Sequence, residues 1–239
     1  MVNLLMDIFF PQTCCSICRE PGRFSTRRPW CPTCQETMVN MQNYLPVCIK
    51  CGKYLERGGK RCMDCQQNPP EFDIARSVGP YEQPYRIAIK VLKFMRRRHL
   101  AVKMGDMMAT VVIKEPAFMP VDVIVPVPIS AGNLKLRGFN QTELLGRQIS
   151  KTIKVKMEPN LLYRIKETPS QRELTRAARE KNLLHAFKVR DASKVAGKHI
   201  LLVDDVYTTG STSKECARTL RDSGAKKVAV ITWAIGKGF

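Results

Sequence analysis

The sequence predicts an α/β domain, a mostly parallel sheet flanked by helices, with a small cysteine-rich module in front of it. Three observations predict it. From residue 72 onward, short β-branched runs alternate with stretches of helical spacing, the pattern of strand–helix–strand units and a parallel sheet. Nine of the ten cysteines lie in the first 65 residues. Between the two regimes stands Asn68-Pro69-Pro70, which neither continues a helix nor supplies strand amides. The predicted domains are residues 1–68 and 71–239, within what 239 residues allow.

Met1 to Phe10 is apolar, but it is short, lacks a basic start and is interrupted by Asp7. It does not read as a signal peptide. Four C-x-x-C pairs follow: Cys15/Cys18, Cys31/Cys34, Cys48/Cys51 and Cys62/Cys65. Twelve residues separate the first two pairs and ten separate the last two, the spacing of four-thiolate zinc sites. Each pair forms a knuckle that offers two sulfurs to one tetrahedral ion. Pairing in sequence order gives two zinc ions; interleaved pairing is an alternative, as is Cys14 in place of Cys15. A disulfide framework requires an oxidising compartment, which nothing here indicates. Four thiolates leave no open coordination position, so the zinc is read as structural. A segment this small builds little core and depends on its metal.

The elements of the larger domain follow in order. Phe72 to Val78 reads as the first strand and Pro84 to Met108 as a helix, with Tyr85, Ile89 and Leu92 on one side. Val121 to Pro128 is a short β-branched run of the buried parallel type. Glu143 to Ile153 is helical, and His199 to Val203 is a second buried strand ending in Asp204-Asp205. Thr212 to Ser223 is a helix stopped by Gly224. Val228 to Trp233 is a third strand. Cys216 falls in a helix and reads as a core residue. His99, His185 and His199 form no constellation. Ligands of such sheets sit beyond the carboxyl ends of the strands, where Pro126-Val127-Pro128 and Asp204-Asp205 fall.

Lys and Arg number 40 against 21 Asp and Glu, a formal charge of +19. Apolar residues are 44% and charged ones 26%, a globular balance. No window approaches the roughly 18 apolar residues of a membrane helix. A membrane span, a secreted precursor and a disordered tail are disfavoured, and a soluble intracellular protein with a polyanionic partner is favoured. Residues 1–70 carry 9 basic and 5 acidic side chains, and residues 71–239 carry 31 and 16. Two zinc ions on eight thiolates would bring the first part to about zero. The larger domain therefore holds the excess. Lys90, Lys93, Arg96, Arg97, Arg98 and Lys103 crowd one segment, and Arg86, Lys90, Lys93 and Arg97 fall on one helical stripe. Lys151, Lys154 and Lys156 form a second group. Such a surface tracks a phosphate backbone with strong salt dependence; the alternative is a solvated face that keeps the protein soluble. Aromatics are 7% and few lie beside the basic runs, so base stacking is not indicated.

The sharpest chemistry is in Ile200 to Thr212, ILLVDDVYTTGST. A strand delivers Asp204 and Asp205, and a loop of Tyr207, Thr208, Thr209, Gly210, Ser211 and Thr212 leads into a helix. Such a loop presents amides and hydroxyls to a phosphate monoester, and Gly210 lets the backbone approach. The acids accept hydrogen bonds from a vicinal diol or reach a magnesium ion. A ribose 5-phosphate satisfies both halves.

The stretch resembles the type I phosphoribosyltransferase signature, two acids followed by V-x-T-T-G-x-T. Val125-Pro-Val-Pro128, Arg137-Gly-Phe-Asn-Gln141, the run from Gln171 to Phe187, Lys93-Phe94 and the C-x-x-C module together resemble the ComF family over essentially the whole chain. The resemblance implies a type I phosphoribosyltransferase-like fold, with Asp204 and Asp205 as the catalytic acids holding the ribose hydroxyls of phosphoribosyl pyrophosphate with Mg2+. It places the 5-phosphate on Thr208 to Thr212, and the pyrophosphate loop at Pro128, Ile129 and Ser130, with Lys135 and Arg137 following. It makes residues 164–182 a mobile flap with Arg172, Arg176 and Arg179, whose planar forks suit phosphate oxygens. It implies a cytoplasmic competence protein that handles incoming single-stranded DNA during natural transformation; the basic cluster of Lys90, Lys93, Arg96, Arg97 and Arg98, read from charge and spacing, is the candidate DNA contact. A helicase-like competence ATPase and other DNA-processing proteins are implied as partners. Two alternatives stay open: a metabolic or salvage phosphoribosyltransferase whose acceptor the sequence does not name, and a non-catalytic adaptor for the uptake ATPase.

Overall fold

Two short strands, β1 (Gln12–Cys14) and β2 (Pro21–Phe24), begin the chain, followed by helices α1 (Pro32–Gln42) and α2 (Met63–Gln67). Strand β3 (Ile74–Pro80) leads to α3 (Tyr85–Phe94), α4 (Leu100–Lys114) and β4 (Val123–Pro126). Then come α5 (Ala131–Arg137), α6 (Gln141–Ile153), the antiparallel pair β5 (Leu162–Arg164) and β6 (Phe187–Val189), β7 (His199–Tyr207), α7 (Ser211–Asp222) and β8 (Lys227–Ile235). The computed structural model describes residues 12–42, 46–56, 58–166 and 183–236. Among them, no helix is long and apolar enough to cross a membrane.

The central sheet has the order β3-β8-β7-β4, with all three pairings parallel. Beyond β4, Ile124 N–H donates to Lys156 O (2.9 Å) and Glu158 N–H to Ile124 O (2.9 Å), so that edge is also paired. The α/β expectation holds, and the strands match the apolar runs to within a few residues. Side chains alternate between two faces. Leu201, Val203, Ile231 and Trp233 pack toward α3, α4 and α6; Ile200, Leu202, Val228 and Val230 pack toward Cys216, Ala217 and Leu220 of α7. Cys216 is a core residue, as expected, fully buried.

Two elements differ from expectation. The helix read over Pro84 to Met108 is broken between Phe94 and Leu100. Met95 closes α3 by donating to Val91 O (3.1 Å), and Arg96 then takes φ +53, a left-handed turn that ends a helix. The arginines stabilise the break from outside: Arg96 Nη2 donates to Leu136 O (2.8 Å) and Arg98 Nη2 to Gly138 O (3.1 Å) at the end of α5. Strand β7 also runs past its apolar residues to Tyr207, pairing Asp204 with Thr232 of β8. The two acids therefore lie inside a strand, not beyond it.

The cysteine-rich segments share the core of the sheet. Cys15, Trp30, Cys34 and Met38 belong to the cluster under α3 and α4, while Cys48, Cys51, Cys62 and Cys65 belong to the cluster on the α7 face. On the first face, Trp30 meets Trp233 at 6.3 Å between ring centroids, and Tyr85 Oη donates to Met38 O at 2.7 Å. On the second, Ala75 N–H of β3 donates to Lys50 O at 2.8 Å, and a Cβ on Gly52 would stand 2.7 Å from Ala75 O. The two cysteine segments thus lie on either side of edge strand β3, and the second pairs with that edge at Ala75. Asn68 to Pro70 divides the sequence but not the core.

Candidate functional site

Because β7 alternates, Asp204 and Asp205 face opposite sides of the sheet. Asp205 turns toward α3 and α6. Its Oδ1 pairs with Lys93 Nζ at 2.8 Å, and its Oδ2 accepts from Gln141 Nε2. Arg137 Nη1 in turn donates to Gln141 Oε1 at 2.8 Å. Asp204 turns toward α7, where Ser213 Oγ donates to Oδ2 at 3.4 Å and the Asp205 amide donates to Oδ1 at 2.7 Å. Burial, followed by the charge of Asp205, raises the Asp204 carboxyl to about 7; Lys93 and the two hydrogen bonds pull the other way.

That shift has a testable sign. Between the unfolded pKa near 4 and the folded value near 7, the native state holds a proton that the unfolded state has released. The carboxyl therefore costs stability increasingly as pH rises through this window. Asp204→Asn does not titrate; its Oδ1 can still accept from the Asp205 amide, and its Nδ2 would donate to Ser213 Oγ, which reverses that bond. We expect its melting temperature to exceed that of the native protein by more at pH 8 than at pH 5.5. A difference independent of pH would contradict the placement.

The loop after β7 turns on Gly210 (φ +79), the residue before α7. Gly210 has no side chain to cap the helix, which leaves first-turn amides for an anion. Thr208 is exposed at the loop, and the hydroxyls of Thr209 and Ser211 lie 2.8 Å apart. Tyr207 differs from its expected part as a phosphate contact. Its ring is buried under Gly210, edge-on to Phe72 at 6.1 Å, with its hydroxyl pKa pushed well up by burial. It forms the floor of the loop.

The other expected loop follows β4. Thr142 Oγ1 (2.6 Å) and Asn140 Nδ2 (3.2 Å) both donate to Val127 O, and Ser130 Oγ caps α5 by accepting from Asn133 N–H at 3.3 Å. Pro128 and Ile129 are half-buried and Lys135 is exposed. Arg137 joins Tyr81, Ile89, Lys90, Lys93 and Phe94 in lining a cavity of about 520 Å³ beside Asp205. Lys90 and Lys93, expected on a DNA stripe, are therefore brought to the acid site. The stripe itself ends with α3, so Arg97 does not continue it; its Nη1 is buried without a hydrogen-bond partner among the described residues. Arg172, Arg176 and Arg179 lie outside the described residues.

The cysteines sort in sequence order. Cys15, Cys18, Cys31 and Cys34 form one tetrad and Cys48, Cys51, Cys62 and Cys65 the other, with all sulfurs of a tetrad within 4.8 Å of one another. A tetrahedron with Zn–S bonds of 2.3 Å has S···S edges of about 3.8 Å. Cys15–Cys34 (3.9 Å), Cys18–Cys31 (3.7 Å) and Cys51–Cys62 (3.6 Å) fit it. Burial pushes the Cys15 and Cys48 thiols up, but backbone N–H groups around each outweigh it and hold both at about 7; Cys34 and Cys62, raised mainly by burial, and Cys51, raised mainly by Cys65, stay thiols until a metal ion supplies the positive charge. Cys14 lies outside both tetrads.

The site and tetrads agree with what the chain is similar to. A double zinc ribbon domain matches residues 5–66 and a phosphoribosyl transferase domain matches residues 144–237. Competence protein F of Haemophilus influenzae is 30% identical over 216 residues, covering 87% of this chain and 90% of that protein. The chain belongs to the competence protein F family. The DNA utilization protein YhgH of Salmonella typhi is 31% identical over 221 residues, covering 90% of this chain and 94% of that protein. An amidophosphoribosyltransferase of Saccharomyces cerevisiae is 28% identical over 171 residues, 69% of this chain and 31% of that enzyme.

In this member of the competence protein F family, the phosphoribosyl transferase match begins inside α6. Lys93, Arg137 and Gln141 all precede it, yet they complete the surroundings of Asp205. Sequence reasoning missed Gln141 and Ser213 as partners of the acids. The available signals were weak: Gln141 follows Asn140, the residue capping α6, and Ser213 stands one turn into a helix of ordinary polar composition.

Proposed function

We propose that the chain is a cytoplasmic competence-type protein that handles incoming single-stranded DNA and binds phosphoribosyl pyrophosphate with Mg2+. One juxtaposition carries the sugar-pyrophosphate half. Asp204 and Asp205, the hydroxyl loop before α7 and the cations Lys93 and Arg137 meet at one end of the sheet. Acids suit the ribose diol and the metal, the loop suits the 5-phosphate, and the cations suit the pyrophosphate. The names of the relatives and the basic excess of the larger domain support the DNA half. A helicase-like ATPase is the proposed protein partner.

The cavity beside Asp205 also favours a second reading, transfer of ribose 5-phosphate to an acceptor with release of pyrophosphate. There the cations would neutralise the leaving group. Titration calorimetry tests the common premise. Phosphoribosyl pyrophosphate with Mg2+ should bind at least tenfold more tightly than ribose 5-phosphate or pyrophosphate alone, because each fragment meets half the site. Equal affinity for pyrophosphate alone would reduce the site to a patch of cations.

A further inference from the structure

The sequence shows cations along α3 with few aromatics beside them; the fold supplies the missing apolar surface. Phe94 and Met95 at the end of α3 are 47% and 53% exposed, and Leu134 and Leu136 on α5 are 47% and 63% exposed. These two segments are fastened together. Arg96 holds Leu136 O, Arg98 holds Gly138 O, and the Arg137 guanidinium lies 5.5 Å from the centre of the Phe94 ring. A single exposed leucine needs no explanation, but four large apolar side chains on two fastened segments form a patch that calls for a partner.

Charge says which partner. Residues 85–100 contain Arg86, Lys90, Lys93, Arg96, Arg97 and Arg98 and no acid; residues 129–142 contain Lys135 and Arg137 and no acid. Arg96 and Arg98 each give one Nη2 to a carbonyl, which fixes the guanidinium and leaves further donors on its fork. Fixed cations beside one exposed aromatic ring and three exposed aliphatic side chains complement an anionic chain carrying flat bases. The patch also adjoins the cavity through two shared residues, Phe94 and Arg137.

We infer that a single strand of nucleic acid lies across Phe94–Met95 and Leu134–Leu136 and reaches the cavity of Lys93 and Arg137, so that strand and sugar pyrophosphate compete for the same cations. This rests on the proposal that the chain takes both ligands.

Fluorescence anisotropy with a labelled oligothymidylate tests it on the zinc-loaded full chain. Phe94→Ala with Leu136→Ser should weaken binding roughly tenfold or more at fixed salt while the slope against salt stays unchanged, because stacking on Phe94 and apolar contact with Leu136, and not phosphate contact, are removed. Ile113→Ser, at an exposed position on α4, should bind as the native chain does. Phosphoribosyl pyrophosphate with Mg2+ should displace the strand from the native protein. Equal affinity in the Phe94/Leu136 variant, with an unchanged melting temperature, would overturn the surface. A strand that stays bound while calorimetry shows the sugar pyrophosphate also bound would overturn the competition. If calorimetry shows no sugar pyrophosphate binding, the proposed function fails there and the competition fails with it, while the variant still decides the surface. Failure of the native chain to bind the strand, with an acidic peptide captured instead, would assign the patch to a protein.

Discussion

Chelating zinc from the folded protein is expected to unfold the sheet, not only the cysteine-rich segments. The reason is where the tetrads sit. Cys15 and Cys34 are buried with Met38 and Trp30 under α3 and α4, and the second tetrad is buried with Phe72 and Tyr207 on the opposite face. Structural zinc contributes about 10–16 kcal/mol in small finger peptides, against about 5–15 kcal/mol for the net stability of a whole protein. Losing both ions while six of the eight thiols, those of Cys15, Cys34, Cys48, Cys51, Cys62 and Cys65, stay buried in two cores leaves no margin. The chain's two tryptophans, Trp30 and Trp233, touch across the first of these junctions, so their fluorescence reports it directly. A strong chelator should release two ions per chain, shift the tryptophan emission and remove the far-ultraviolet signal of the sheet in one transition. Cys48→Ser with Cys62→Ser should reproduce the loss, and Cys14→Ser, outside both tetrads, should not. A sheet that melts at its usual temperature after chelation would contradict this arrangement.

Gly210→Ala is expected to abolish ligand binding at the loop. A Cβ at this position would lie 2.2 Å from Tyr207 Oη and 2.3 Å from Cζ, inside any tolerable contact. Tyr207 has little room to yield, since its ring is 3% exposed and packs on fully buried Phe72. The φ of +79 adds a strain of about 1–2 kcal/mol for a residue with a Cβ. The loop, as the more exposed partner, should move and misplace the amides of α7. Affinity for phosphoribosyl pyrophosphate should fall at least a hundredfold, with tryptophan emission unchanged because Trp30 and Trp233 lie on the other face. Affinity within twofold of the native chain would show that the ligand does not touch this loop.

Features encoded by spacing along the chain were legible in advance. The four C-x-x-C pairs fix two sulfurs locally, and the observed tetrads follow sequence order. Gly224 (φ +91) stops α7 just past its last turn, and the β-branched runs became the four strands. What was not legible depends on tertiary contacts. The break at Met95 to His99 lies within a pattern of good helical periodicity; it exists because Arg96 and Arg98 find carbonyls at the end of α5, forty residues on. Lys93 belongs by spacing to a solvent-facing stripe, yet it meets Asp205 because α3 packs against β7 and β8. The acids are adjacent and alike in sequence, but strand alternation sends one to Ser213 and the other to Lys93. The apolar patch at Phe94 and Leu136 joins two segments that no local window compares.

The central claim is that the acids of β7 serve a sugar-pyrophosphate site. Titration of phosphoribosyl pyrophosphate with Mg2+ into the native chain and into Asp204→Asn/Asp205→Asn tests it most directly. One ligand per native chain, and at least a hundredfold weaker binding in a variant that keeps both zinc ions, is the result predicted. Equal binding by the two proteins, or none by the native chain, would contradict the claim.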